Sequence, residues 1–275
     1  MTRTWFITGV STGFGRHLAE QLLSAGDRVA GTVRRLDSVA DLVESYGSAF
    51  HVSLLEMTDT AAIRPAVDAA HAHFGRLDVV VSNAGYGLMG AAEELTDEQV
   101  RHQLDTNLLG SIQLIRAAVS HLRADGGGRI LQLSSVGGQV AWPGGSLYHA
   151  TKWGIEGFAD ALADEVAPFG IGVTLVEPGG ARTEFRYGNS QLAPKIDAYA
   201  VSPASRIRQV LEERTSLAIG DPARMAAAMI ATVDQTPAPR RLVLGSDAWT
   251  AITDALEARL AEVREQKSVA FSTDL

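Results

Sequence analysis

Tyr148-His149-Ala150-Thr151-Lys152 sets a phenol and an ammonium group four positions apart, and Ser135 stands thirteen positions before the tyrosine. On a helix, residues i and i+4 lie one turn apart on the same face, so Tyr148 and Lys152 become neighbours. A positive charge beside a phenol favours its ionised form. A tyrosine that ordinarily titrates near ~10 then exchanges its proton closer to neutral pH. Such a pair can give a proton to a carbonyl oxygen and take it back. An amphipathic helix with a surface lysine carries the same spacing, so the pair alone decides nothing.

These residues need a scaffold. Short β-branched or apolar runs alternate with longer helical periods, which implies βα units and a parallel sheet. Strands are expected at 5–8, 28–33, 49–53, 79–82, 129–134, 172–177 and 242–244. Helices are expected at 13–24, at 36–46 and between the later strands. A terminal helix over 247–267 carries Leu256, Leu260 and Val263 on one stripe. Pro237-Ala238-Pro239 reads as a break before the last strand rather than a linker, so one domain is expected over 1–275. The weakest periodicity runs through 184–201, with Gly188, Asn189 and Pro194. That stretch, extending to about 210, is either a substrate lid or a disordered loop.

Composition narrows the function. With 275 residues the chain is long enough for a large α/β core. A formal net charge of −8 argues against nucleic acid or an anionic membrane as partner. The absence of cysteine excludes disulfides and thiolate metal sites, and no metal is expected. Residues 1–8 lack the basic-then-apolar layout of a secretory leader, and no apolar run reaches the length of a membrane span. A cytoplasmic protein is expected.

Thr8-Gly9-Val10-Ser11-Thr12-Gly13-Phe14-Gly15 follows the first strand and opens the first helix. Glycines let a backbone approach a pyrophosphate closely, and a helix N-terminus offers free N–H groups and a positive dipole end. Tight turns use glycine for steric reasons too, but the place between strand and helix favours the ligand reading. The second strand ends in Thr32-Val33-Arg34-Arg35, with no acid to hold ribose hydroxyls. A guanidinium suits the 2′-phosphate of NADP. A hydrogen bond to a charged group contributes roughly 1.5–3 kcal/mol, about ten- to more than a hundredfold in preference. Two solvated arginines at a strand end would look the same.

Further groups fall at expected strand ends: Ser82-Asn83-Ala84-Gly85, Ser134-Ser135 and Pro178-Gly179, with Asn107 inside a long helical region. In this order, from Thr4 to about Val243, they make the chain resemble the short-chain dehydrogenase/reductase family. The resemblance implies a Rossmann fold of seven parallel strands with helices on both faces. It implies a nicotinamide cofactor, here NADP(H), and a catalytic group at Asn107, Ser135, Tyr148 and Lys152. Ser135 is preferred to Ser134 for its spacing to Tyr148 and because adjacent strand residues face opposite sides. By the same resemblance Tyr148 is general acid/base, and Ser135 hydrogen-bonds the reacting oxygen. Lys152 lowers the tyrosine pKa and binds the nicotinamide ribose, while Asn107 holds a water that relays protons. Gly9, Ser11, Thr12, Gly13, Phe14 and Gly15 serve the phosphates; Asn83, Ala84, Gly85, Pro178 and Gly179 line the cofactor cleft, and Thr183 contacts the carboxamide.

Some positions depart from the family pattern. Ser82 replaces an asparagine, and Leu55-Glu56-Met57-Thr58-Asp59 stands for Leu-Asp-Val-Thr-Asp, putting Glu56 and Met57 at the adenine position. Position 12 is not basic, so NADP preference rests on Arg34 with Arg35 in support.

Tyr86, Leu88, residues 136–142, Phe185, Tyr187, Leu192 and Tyr199 are apolar or aromatic, which favours a hydrophobic ketone or secondary alcohol over a charged metabolite. They would serve equally as core or interface. The resemblance also implies a homodimer or homotetramer through the helices around 109–122 and 148–166, where Trp153, Ile155 and Phe158 offer apolar surface. Two other functions compete with an NADP-dependent carbonyl reductase. The sugar-nucleotide epimerase branch uses a Gly-x-x-Gly-x-x-Gly spacing that is absent here. A non-catalytic NADP-binding sensor or scaffold usually loses the tyrosine or the lysine.

Overall fold

The computed structural model describes residues 2–214 and 218–275, with only the backbone at Arg186 and Tyr187. The first half of the chain runs β1 (Thr4–Thr8), α1 (Gly13–Ser24), β2 (Arg28–Val33), α2 (Ala40–Tyr46), β3 (Phe50–Leu54), α3 (Thr60–Phe74), β4 (Val79–Ser82), β5 (Leu88–Met89), α4 (Asp97–Leu104), α5 (Gly110–Ala124) and β6 (Gly128–Leu133). The second half continues α6 (Ser146–Val166), β7 (Ile171–Pro178), β8 (Gln191–Leu192), α7 (Ser205–Glu213), α8 (Pro222–Thr232), β9 (Arg241–Leu244), α9 (Ser246–Glu265) and α10 (Lys267–Phe271).

Seven strands form one parallel sheet in the order β3-β2-β1-β4-β6-β7-β9. Its central strands are apolar on both faces, as a sheet covered on both sides requires. Successive residues alternate between two cores: Trp5, Ile7, Val79, Val81 and Leu131 enter the one packed by α1 and α8. Phe6, Val80 and Ile130 enter the other, packed by α3, α5 and α6. The result is a three-layer Rossmann-type sandwich. Strand order reverses between β1 and β4, and there an open sheet has its crevice at the carboxyl ends of its strands.

Several expectations need correction. The 36–46 helix is a 3-10 turn at Leu36–Val39 followed by α2. Asn107 sits in a π-helical turn, Asp105–Leu109, between α4 and α5. The 184–210 segment holds a π turn at Phe185–Asn189, strand β8 and helix α7. Here β8 pairs in parallel with β5, a second small sheet. Ile155 is wholly buried in α6 and offers no surface for assembly, whereas Trp153 on the next face is exposed. The terminal helix breaks at Gln266 between α9 and α10, and Leu256, Leu260 and Val263 all face outward.

Candidate active site

The carboxyl ends of β1, β4, β6 and β7 surround a cleft of about 490 Å3. Its floor at one end is the turn after β1. Gly9 has φ +74, a conformation open to glycine at little cost. Gly15 permits the close approach of α1 to that turn, because a Cβ there would lie 2.1 Å from the Gly9 carbonyl oxygen. Gly15 is therefore buried packing and does not itself line the cleft, although Gly9, Ser11, Thr12, Gly13 and Phe14 do. Asp59 caps α3, Thr96 caps α4 and Asp221 caps α8, whereas α2, α6, α7 and α9 start without a side-chain cap. Helix α1 begins at Gly13 with no side-chain cap. Because Thr12, Gly13 and Phe14 line the cleft, its first turn and positive dipole end border it, as a phosphate would require.

Thr8 has a part that the motif reading passed over. Its Oγ1 accepts the N–H of Asn83 at 3.0 Å and of Ala84 at 3.0 Å. The Asn83 side chain donates to the carbonyls of Thr8 at 2.8 Å and Gly9 at 3.2 Å. These bonds fasten the end of β4 to the glycine turn, and Asn83, Ala84 and Gly85 line the cleft beside it. Pro178, Gly179 and Thr183 border it after β7, and Glu56 and Met57 after β3.

Arg34 and Arg35 part company. Arg34 lies at the cleft, and among the described residues its guanidinium has no carboxylate partner. Arg35 points outward and pairs with Asp37 at 2.5 Å, so it is not part of the cleft lining.

At the other end of the cleft, Ser135, Tyr148 and Lys152 come together. The two serines after β6 divide as alternation requires. Ser134 donates to the buried Glu156 at 2.5 Å, while Ser135 hydrogen-bonds the Tyr148 phenol and accepts the Gly137 N–H at 3.0 Å. Lys152 donates to the Leu133 carbonyl at 2.8 Å, and its Nζ lies 5.9 Å from the centre of the Tyr148 ring.

The net shift of the tyrosine runs opposite to the expected lowering. Burial pushes the Tyr148 phenol up to about 12, and the Ser135 hydrogen bond only partly offsets it. Burial likewise pushes Lys152 down to about 8, against the pull of the Glu156 charge. Desolvation disfavours the charged form of both groups and is the larger influence on each.

Asn107 does not line the cleft. Its Nδ2 donates to the Tyr86 carbonyl at 2.9 Å, and its Oδ1 accepts the Tyr86 N–H at 3.1 Å. A third, longer bond reaches Thr151, so its side-chain bonds go to Tyr86 and Thr151 and not to Lys152. Asn107 clamps the loop after β4, whose Tyr86 and Met89 face the cleft. The Tyr86 hydroxyl in turn meets His102 Nδ1 at 2.8 Å. His149, inside the Tyr-x-x-x-Lys run, was also passed over. Its Nδ1 meets the Gly137 carbonyl at 2.8 Å and its Nε2 accepts the Trp142 N–H at 3.2 Å. Those bonds fit a neutral ring, and burial pushes its pKa down. They moor the loop after β6 that brings Val136 and Trp142 to the cleft.

Tyr86, Met89, Val136, Trp142, Phe185, Ile207 and Leu211 give this end much apolar and aromatic surface, with His102, Thr106, Asn189, Ser190 and Gln191 as polar neighbours. Leu88, Leu192 and Tyr199, expected there, lie outside the lining; Leu88 is core, and Tyr199 bonds Glu93 at the surface. The Tyr187 side chain lies outside the described residues. Among the described residues no helix is long and apolar enough to cross a membrane.

Comparison with known proteins agrees with this architecture. Residues 3–192 match the family model described as short chain dehydrogenase. The chain is 36% identical over 250 residues to the oxidoreductase BOA17 of Botryotinia fuckeliana, covering 90% of each. It is 33% identical over 184 residues to an NADPH-dependent 3-dehydrocapnine reductase of Ornithobacterium rhinotracheale, 65% of each. The crystal structure of a short-chain dehydrogenase from Streptomyces avermitilis superposes with a TM-score of 0.92 at 39% identity, over 100% of this chain and 99% of that one. With the sheet order, the glycine turn and these matches in agreement, the chain belongs to the short-chain dehydrogenases, oxidoreductases that work with a nicotinamide cofactor.

Proposed function

We propose that this protein is an NADP(H)-dependent reductase of apolar ketones, acting in reverse as a secondary-alcohol dehydrogenase, with Tyr148 as general acid/base. The observation that carries the reading is the grouping of Ser135, Tyr148 and Lys152 in a cleft beside a cluster of apolar and aromatic side chains, with no lysine, arginine or carboxylate at that end other than Lys152 among the described residues. The opposite end fits a dinucleotide: the start of α1 suits a pyrophosphate, and Arg34, with no carboxylate partner among the described residues, suits a 2′-phosphate. When bound, that cofactor would supply or accept the hydride. The relative named as NADPH-dependent and as a reductase supports both the cofactor and the direction.

In reduction Tyr148 passes its proton to the substrate oxygen as negative charge develops there. Ser135 donates a second hydrogen bond to the same oxygen and fixes the carbonyl's orientation. Lys152, held against the Leu133 carbonyl, sets a positive charge behind the phenol. The side-chain amide of Asn107 acts as a clamp in this reading, engaged with Tyr86. Pro178, Gly179 and Thr183 border the position where the nicotinamide would lie. The protein assembles as a homo-oligomer, which sizing chromatography would check.

A panel of ketones read by NADPH and NADH absorbance tests the reading. Apolar ketones are expected to turn over with an efficiency about tenfold or more higher with NADPH. Turnover confined to charged substrates, or a preference for NADH, would overturn it.

A further inference from the structure

Helix α7 carries two of the apolar residues of the cleft, Ile207 and Leu211, one turn apart on one face. Yet α7 has no fully buried residue of its own. A helix so short, with so little packing, is not held in place by propensity. Arg208 ties it to a carboxylate and a carbonyl on other parts of the chain.

Glu94, in the 3-10 turn Ala92–Glu94 after β5, has a side chain only 4% exposed. One oxygen accepts the Ile196 N–H at 3.0 Å; the other accepts the Ala91 N–H at 2.8 Å and Arg208 Nη2 at 3.2 Å. Arg208, on α7 and itself 13% exposed in its side chain, also donates to the Ala193 carbonyl at 2.9 Å. One buried carboxylate therefore gathers its own turn, the chain after β8 and helix α7. Two glycines allow the close fit. A Cβ on Gly144 would lie 2.5 Å from Ile207 Cγ2, and one on Gly90 would lie 2.6 Å from the Ala193 Cβ. The family match ends at residue 192, so Glu94 lies inside it while Ile196 and Arg208 lie beyond.

Buried ion pairs contribute little net stability, because desolvation offsets the attraction, but they do fix geometry and register. Ile207 and Arg208 are adjacent, so the bond to Glu94 sets the rotation that turns Ile207 and Leu211 toward the cleft.

We propose that Glu94 and Arg208 are positioning residues for substrate selection: their buried pair locks α7 so that Ile207 and Leu211 form an apolar wall that a bulky ketone contacts and a small one does not. The proposal rests on the ketone-reductase reading for the identity of the ligand. Its test therefore uses binding as well as turnover.

The measurement is the Kd of the NADPH-bound protein for benzophenone and for cyclohexanone, read by tryptophan fluorescence, since Trp142 lines the cleft. Steady-state kcat and KM are taken alongside, in wild type, Glu94→Gln, Arg208→Met and Arg208→Lys. Losing one apolar wall should weaken benzophenone by about tenfold or more. Cyclohexanone affinity and NADPH affinity should stay within about twofold of wild type, as the proposal requires of ligands that do not contact α7. Arg208→Lys, which keeps the charge, should recover most of the benzophenone affinity, and kcat should change less than KM. Equal weakening for both ketones, or no change for either, overturns the proposal. Selective weakening without turnover by any variant or by wild type would uphold the lock and refute the reductase reading instead. If Arg208→Met fails to fold, Glu94→Gln and Arg208→Lys carry the same comparison.

Discussion

Burial leaves Tyr148 protonated through the neutral range, ready as an acid before it can serve as a base. The acid form is the one present below the pKa, so ketone reduction should proceed at a level kcat/KM from pH 6 up to the region near 8, where Lys152 gives up its charge. Above that, reduction should decline, while alcohol oxidation, which needs the phenolate, should keep climbing. Initial rates in both directions across pH check this, and a reduction rate that rises with pH would contradict it. Arg34 is the second residue with a sharp expectation. Arg34→Ala should cut the preference for NADPH over NADH by about ten- to a hundredfold while sparing NADH affinity, measured by fluorescence titration. Arg35→Ala should change the ratio little, since that side chain is turned to Asp37. The tyrosine, lysine and serine were legible in the sequence because their chemistry depends on residue type and spacing. The clamp made by Asn107 was not, because its partner is a backbone twenty-one positions away whose place only the fold decides. The net direction of the Tyr148 shift was not legible for a similar reason: spacing reveals a neighbouring charge but not the burial that raises the phenol.

At the level of elements, the ends of β6 and β7 share a buried acidic cluster behind the serine loop. Glu177 is fully buried, and it meets Arg241 Nε at 3.0 Å and Gln139 Nε2 at 3.3 Å. Gln139 and Ser134 also donate to Glu156. Burial, with the Glu156 charge adding to it, pushes Glu177 up to about 7. A carboxyl whose folded pKa is raised stabilises the fold when protonated. That contribution is complete below the unfolded value of 4.5 and is lost as pH rises through about 7. Thermal unfolding should therefore show Tm falling from pH 5 to 8, and Glu177→Gln, which mimics the protonated form, should flatten the fall. An identical slope in the variant would contradict the assignment. The main strands were legible, most within a residue of their ends, because apolar runs buried on both faces leave a plain signal. Strands β5 and β8, two residues each, carry no periodicity, and their pairing joins segments a hundred positions apart. The π turn that holds Asn107 is equally silent, since a helical period continues through it.

Across the whole molecule, the crevice at the strand-order reversal gives a polar, phosphate-ready end and an apolar end within one cleft. The first is built by β1, β2 and β4, the second by the loops after β4 and β6 and by α7. Hydride transfer needs both ends at once, and Ser135, Tyr148 and Lys152 have a use in this reading only if a ketone enters beside them. One experiment bears on that most directly: the rate of NADPH oxidation by an apolar ketone in wild type and in Tyr148→Phe, with NADPH affinity measured on the same samples. Removal of a general acid is expected to slow turnover by about a hundred- to ten-thousandfold, with NADPH affinity unchanged. A variant that keeps substantial activity would contradict the central assignment of Tyr148 as the proton donor.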